Sequence, residues 1–146
     1  MYAWVNGEQC LWDREQDVRD WDCRDLEKKY RRASVIYESV FALRTSGGFS
    51  WSEQDYNEFL FSARAVRWSL SLLTYKKRHE YGQEGCPALY STVRQLINEG
   101  KTVLHTFEKL WRGRNKESEL RNVTMTFEKM FEKITAIDKR KLGPSS

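Results

Sequence analysis

Two histidines, His79 and His105, are the side chains best suited to move a proton near neutral pH, and neither keeps the company a mechanism needs. His79 follows Lys76, Lys77 and Arg78 at the end of a helical pattern, where it is expected to face solvent and the last helix carbonyls. His105 sits beside Val103, Leu104 and Phe107 on an apolar stripe, the place of a structural boundary residue rather than a ligand. Carboxylates are mingled with bases at helical spacing, as in Glu128-Lys129 and Glu132-Lys133, which is the pattern of a solvated face and not of an isolated acid pair. Gly100-Lys101-Thr102 resembles the tail of a phosphate-binding loop, but Gln95 stands where the upstream glycine is needed and no strand precedes it. The three cysteines, Cys10, Cys23 and Cys86, are odd in number, far apart and without clustered histidines. Neither a disulfide framework nor a zinc site follows from them, and a reducing cytoplasm is the default compartment. No catalytic residue, metal ligand or cofactor is assigned, and the chain reads as a binding protein more readily than as an enzyme.

Binding chemistry is easier to find. Bases cluster at Lys28-Lys29 with Arg31-Arg32, at Lys76-Lys77-Arg78, and at Lys109, Arg112, Arg114 and Lys116. With 25 basic against 21 acidic residues the excess is mild, so these clusters serve as solvated helix ends unless the fold converges them. If it does, Arg112, Arg114, Lys116, Arg121 and Asn122 are the residues expected to contact nucleic-acid phosphates.

The elements that must position these groups are helices. With 40% hydrophobic and 32% charged residues and two prolines, the chain is too apolar to be disordered and too charged to span a membrane. No signal peptide is expected, and the Asn122-Val123-Thr124 glycosylation sequon is read as chance. Tyr2, Trp4 and Val5 before Asn6-Gly7 suggest a hairpin, with an irregular arm or an extra helical turn equally compatible, over residues 1–21. Leu26, Tyr30, Ala33, Tyr37 and Val40 then mark a first helix that Ser46-Gly47-Gly48 stops. Trp51, Ser52 and Asp55 start a second helix running to about Arg78. Pro87 is expected in the first turn of a third, with the stripe Leu89, Val93, Leu96, Gly100, Val103, Phe107 and Leu110. A fourth carries Leu120, Val123, Phe127, Met130, Ile134 and Ile137 before the tail 143–146. The expected fold is all-α, an antiparallel four-helix bundle over residues 22–142 with a short N-terminal arm or hairpin.

The second helix is apolar on two sides. Phe59, Ala63, Val66, Leu70 and Leu73 share one face, and Phe61, Ala65, Trp68, Leu72 and Tyr75 share the opposite one. Such a helix either lies centrally or gives a face to another chain. The second possibility marks Phe61, Arg64, Ala65, Arg67, Trp68, Leu72 and Tyr75 as a partner-binding surface, for a protein partner or a second copy of the chain.

Asn57-Glu58-Phe59-Leu60-Phe61-Ser62-Ala63-Arg64-Ala65-Val66-Arg67-Trp68-Ser69-Leu70 and Glu119-Leu120-Arg121-Asn122 resemble, in that order, a long second helix and the start of the motif helix of the HEPN superfamily. That resemblance implies a small helical bundle of the kind found in prokaryotic toxins, abortive-infection systems and CRISPR effectors. It also implies RNA binding or metal-independent ribonuclease activity through an Arg-polar-x-x-x-His motif. Thr126, Phe127 and Glu128 stand where the motif histidine belongs, so the member implied lacks the proton-transfer residue, and Arg121 alone would hold a phosphate. Leu96-Ile97-Asn98-Glu99-Gly100-Lys101-Thr102-Val103-Leu104-His105 is similar to a segment of the lipid-carrying TIPE bundles, which implies a hollow apolar core and a lipid ligand. The leading expectation is a non-enzymatic, cytoplasmic helical interaction module, with RNA binding and lipid carriage as the alternatives.

Overall fold

Among the described residues four helices form, most of them where the apolar stripes place them: α1 Cys23–Thr45, α2 Glu53–His79, α3 Val93–Trp111 and α4 Glu117–Leu142. The computed structural model describes residues 21–45, 47, 50–112 and 117–142. The arm expected over 1–21 lies outside the described residues except for Trp21, as do Arg114, Lys116 and the tail 143–146.

Local chemistry explains the boundaries. Gly47 takes φ 76° just past α1, a left-handed conformation that glycine adopts without steric cost, and its N–H bonds the Arg44 carbonyl at 3.1 Å. The Ser52 hydroxyl accepts the Asp55 N–H at 3.1 Å and so satisfies one of the unpaired donors at the start of α2. The start of α3 departs from expectation. The helix begins at Val93, not near Pro87, and Thr92 caps it by accepting the Gln95 N–H at 3.0 Å. Upstream residues are drawn back onto α2 instead: the Arg78 guanidinium donates to the carbonyls of Glu84 and Cys86, and the Ser71 hydroxyl donates to the Leu89 carbonyl at 2.9 Å. Carbonyls held by side chains of another helix are unavailable for a first helical turn, so Pro87 and Leu89 lie in a connection rather than in α3.

Successive helices run antiparallel. Leu26 near the start of α1 packs with Leu70 and Leu73 late in α2, while Arg44 at the end of α1 reaches Glu53 at the start of α2. Phe61 meets Phe107 and Trp111, and Glu108 bonds Thr124. The bundle is all-α, as expected. It is not symmetric: α2 and α4 both pack on α3, whereas α1 packs on α2.

One apolar face of α2 is buried along its length inside the chain, and the other only at Leu70 and Leu73, since Val66 stays 43% exposed. The first enters the main core, where Phe61, Ala65, Trp68, Leu72 and Tyr75 are buried with Leu96, Val103, Phe107, Phe127 and Ile134. Trp68 stacks on Phe127 at 5.3 Å and donates its indole N–H to the Leu96 carbonyl at 2.8 Å. Gly100 is what lets the indole in: a Cβ there would lie 2.5 Å from Trp68 Cζ2 and 2.7 Å from Phe131 Cε1. The glycine in the α3 stripe thus marks close helix contact. The other face of α2 holds α1 through a smaller cluster of Leu26, Leu70 and Leu73, with Trp21, Tyr30 and Tyr81 against it.

The cysteine expectation is corrected as well. Cys23, at the first residue of α1, is bonded to Cys86 in the α2–α3 connection, with Cα atoms 5.3 Å apart and a sequence separation of 63. Antiparallel packing of α1 on α2 brings them together, which cysteine spacing alone does not encode. Closing a loop of that length stabilises the folded chain by about 4 kcal/mol through the entropy removed from the unfolded state. Among the described residues no helix is long and apolar enough to cross a membrane.

Candidate functional site

Because α1 and α3 both lie against α2, a groove runs between them with α2 as its floor. It widens into two hollows. The smaller, about 320 Å³, is lined by Tyr30 of α1, Arg67 and Trp68 of α2, Tyr90 and Ser91 of the connection, and Glu99 of α3. The larger, about 470 Å³, is lined by Tyr37 of α1, Asn57, Phe61 and Arg64 of α2, and His105 and Lys109 of α3. Both fall in the size range of ligand clefts, and both combine an aromatic wall with few charged groups.

An ion pair stands between the hollows. Arg64 donates to Glu99 through Nε at 2.6 Å and through its terminal nitrogen at 3.1 Å, a two-pronged contact between half-buried side chains. The hydrogen bonds to Glu99, ahead of the desolvation that opposes them, raise the Arg64 pKa above its ordinary value. One turn further along α2, Arg67 is different. Its guanidinium lies over the Tyr37 ring at 4.9 Å, and among the described residues it makes no ion pair. Glu99 also lines the smaller hollow but is engaged by Arg64, so among the described residues the Arg67 guanidinium has no carboxylate paired with it there.

The end wall of the groove is built by the C-terminus of α2. His79 does not simply face solvent: it is half-buried, its Nε2 lies 2.7 Å from the Tyr90 hydroxyl, and its ring is 4.8 Å from that of Tyr75. Burial pushes the Tyr90 phenol up from its ordinary pKa, opposed by the nearby Arg78. Tyr75 is raised further, chiefly by burial, and donates to the Ile134 carbonyl at 3.2 Å. These bonds set the position of Tyr90 in the wall. The basic cluster expected at Lys76-Lys77-Arg78 is turned inward: Lys76 and Lys77 are buried, Lys77 bonds the Gln83 side chain at 3.2 Å, and Lys76 lies 5.6 Å from the centre of the Tyr81 ring.

Of the residues expected to form a partner surface on α2, Arg64 and Arg67 reach the groove, and Phe61 and Trp68 contribute to its floor. Ala65, Leu72 and Tyr75 are covered by the main core. The central position of α2, one of the two outcomes that its double apolar face allowed, is the reason. Arg112, Arg121 and Asn122 are exposed near the α3–α4 turn. Sequence reasoning did not single out Tyr30, Tyr37, Tyr90 or Glu99. The seven-residue spacing of Tyr30 and Tyr37 was visible as part of the α1 stripe, but nothing local distinguishes a tyrosine in a groove wall from one in a core.

No protein-family model, curated protein or solved structure matches this chain. The groove is therefore interpreted from its own chemistry.

Proposed function

We propose that this chain is a non-enzymatic helical interaction module that receives an acidic, aromatic segment of a protein partner in the groove between α1 and α3. The observation that carries this reading is the contrast between the two groove arginines: Arg64 is neutralised by Glu99, whereas Arg67 is backed by the Tyr37 ring and lacks a carboxylate among the described residues. A carboxylate from the partner would complete Arg67, and the partly exposed Tyr30 and Tyr90 rings offer apolar contact in the walls. Because the face of α2 that carries Phe61, Ala65, Trp68, Leu72 and Tyr75 is buried within the chain, the partner reading rests on this groove and not on that face. The filled interior around Trp68 and Gly100 weighs against the lipid-carrying alternative. The Cys23–Cys86 bond supports an oxidising compartment for the bonded form, in place of the reducing cytoplasm that cysteine number suggested.

The test is selection from a display library of random linear peptides on the immobilised full chain, in parallel with an Arg67→Glu variant. Peptides rich in Asp or Glu beside aromatic residues are expected on the wild type and should be lost on the variant. Recovery of the same peptides by both proteins would overturn the reading. So would tight, steeply salt-dependent binding of single-stranded RNA that disappears on replacing Arg112 and Arg121, which would move the function to nucleic acid.

A further inference from the structure

We propose that the Cys23–Cys86 bond is a redox latch that holds α1 as one wall of the groove, so that its reduction lets that wall swing away and weakens binding there. The inference concerns regulation of the groove and rests on the groove being the binding site.

Four observations lead to it. First, α1 buries few side chains: among its described residues only Leu26 and Ala33 are buried, while Val35 and Ile36 face outward. Second, its two ends are held differently. At the C-terminal end Arg44 bonds Glu53 at 2.8 Å and lies over the buried Tyr56 ring at 4.3 Å, beside the short link into α2. At the N-terminal end the disulfide joins the small Leu26, Leu70 and Leu73 cluster as the tie. A helix released at its start and still held at its end pivots about that end. Third, the Cys86 side of the bond is anchored independently, since Arg78 binds the Glu84 and Cys86 carbonyls and Ser71 binds the Leu89 carbonyl. Breaking the bond therefore frees α1 and leaves the connection in place. Fourth, Tyr30, which lines the smaller hollow, lies in the N-terminal part of α1, close to the released end, whereas Tyr37 lies nearer the pivot. The wall opposite Ser91 and Glu99 would move most.

The chemistry is thiol–disulfide exchange with a dithiol as reductant. Cys86 is 1% exposed and Cys23 is half-buried, so the more accessible sulfur is that of Cys23. A thiolate of the dithiol attacks Cys23 Sγ, a mixed disulfide forms, and Cys86 leaves as a thiolate that takes up a proton. The second thiol of the reagent then displaces Cys23 Sγ and closes the reagent's own disulfide. Two electrons and two protons pass from the dithiol to the two cysteines, and no other reactant is needed. The bonded form suits an oxidising compartment and the open form a reducing one, which would tie partner binding to location.

The experiment uses the full chain, oxidised and after treatment with dithiothreitol, followed by hydrogen exchange and by affinity for a display-selected peptide that depends on Arg67. Reduction should raise exchange in the first half of α1 well beyond the general rise that loss of the cross-link brings to α3 and α4, and should lower peptide affinity by about tenfold. Cys23→Ser and Cys86→Ser should match the reduced protein under both conditions, and Cys10→Ser should still respond. Unchanged exchange in α1, or a loss of protection no greater in α1 than in α3 and α4, would overturn the latch. Looser α1 with unaltered peptide affinity would also overturn it while leaving the groove reading intact. A failure to select any Arg67-dependent peptide would instead sink the groove reading, and with it this inference.

Discussion

The two faces of α2 meet their neighbours by different means. Toward α3 and α4 it meets an interior in which the Trp68 indole fits only because residue 100 has no side chain, stacks on Phe127 and has its N–H satisfied by Leu96. Toward α1 it meets a small cluster, a cation over a tyrosine and a covalent bond. A closely packed interface is defined by many short-range contacts and resists change at each of them. An interface held at two ends can open at one end without disturbing the other half of the molecule. The groove lies on the second kind of interface, which is where a partner can be admitted at least cost to the fold.

That comparison can be broken most directly at its centre. Trp68→Ala should lower stability by about 4 kcal/mol, since it removes the largest side chain of the main core and leaves the Leu96 carbonyl without its indole donor. Chemical denaturation would measure it. Leu73→Ala in the smaller cluster should cost about 2 kcal/mol, the low end for a buried leucine. Hydrogen exchange should show that loss concentrated in α1; a uniform loss would mean that the two interfaces are one cooperative unit.

Alkaline pH sharpens the same contrast. Tyr75 has a raised pKa because it is buried, so it stays neutral in the folded chain while its unfolded counterpart ionises around 10.0. Its contribution is fully present below that value and is lost as pH rises above it. One unit above it, at about pH 11, Tyr75 alone should lower stability by about 1.4 kcal/mol. Tyr90, also raised by burial, adds in the same direction. Denaturation midpoints at about pH 8 and about pH 11, compared with those of Tyr75→Phe, would test this, the variant losing less on going up in pH.

Gly100→Ala should cost about 1 kcal/mol net, because overpacking against the Trp68 ring of about 2 kcal/mol is partly offset by better helix propensity of about 1 kcal/mol. A stabilised variant would show that the indole moves freely, contrary to a close-packed core. Smallest of all, Val35→Ser on the outer side of α1, 61% exposed, should change stability by less than about 0.5 kcal/mol in thermal melts.

Much of this was legible before any fold was known, and the reasons are local. Ser52 and Asp55 specify a helix start through one side-chain bond three residues long. The stripes of α1 and α4 follow the helical period, and the double face of α2 announced a helix either central or shared. Gly100 stood out because glycine is costly inside a helix without a packing reason. The beginning of α3 was misplaced because Pro87 and Leu89 fit a helical pattern equally well until Ser71 and Arg78, from another helix, bind the carbonyls around them.

The candidate site was half visible. Arg64 and Arg67 were marked, yet their difference in character depends on Glu99, which is 35 residues from Arg64, and on Tyr37, in the preceding helix. Lys76 and Lys77 looked like surface bases and are buried, since charge type alone does not say which side of a helix its neighbours cover.

The sequence by itself determined the four described helices, their order, most of their ends and many of the residues that seek the interior, because hydrophobic period, caps and glycine conformation act within a few residues. Tertiary structure decided which apolar face of α2 meets which helix, that Cys23 finds Cys86, and that one arginine is neutralised while its neighbour is not. Those outcomes depend on distances between residues far apart in the chain, and such distances exist only once the helices have packed.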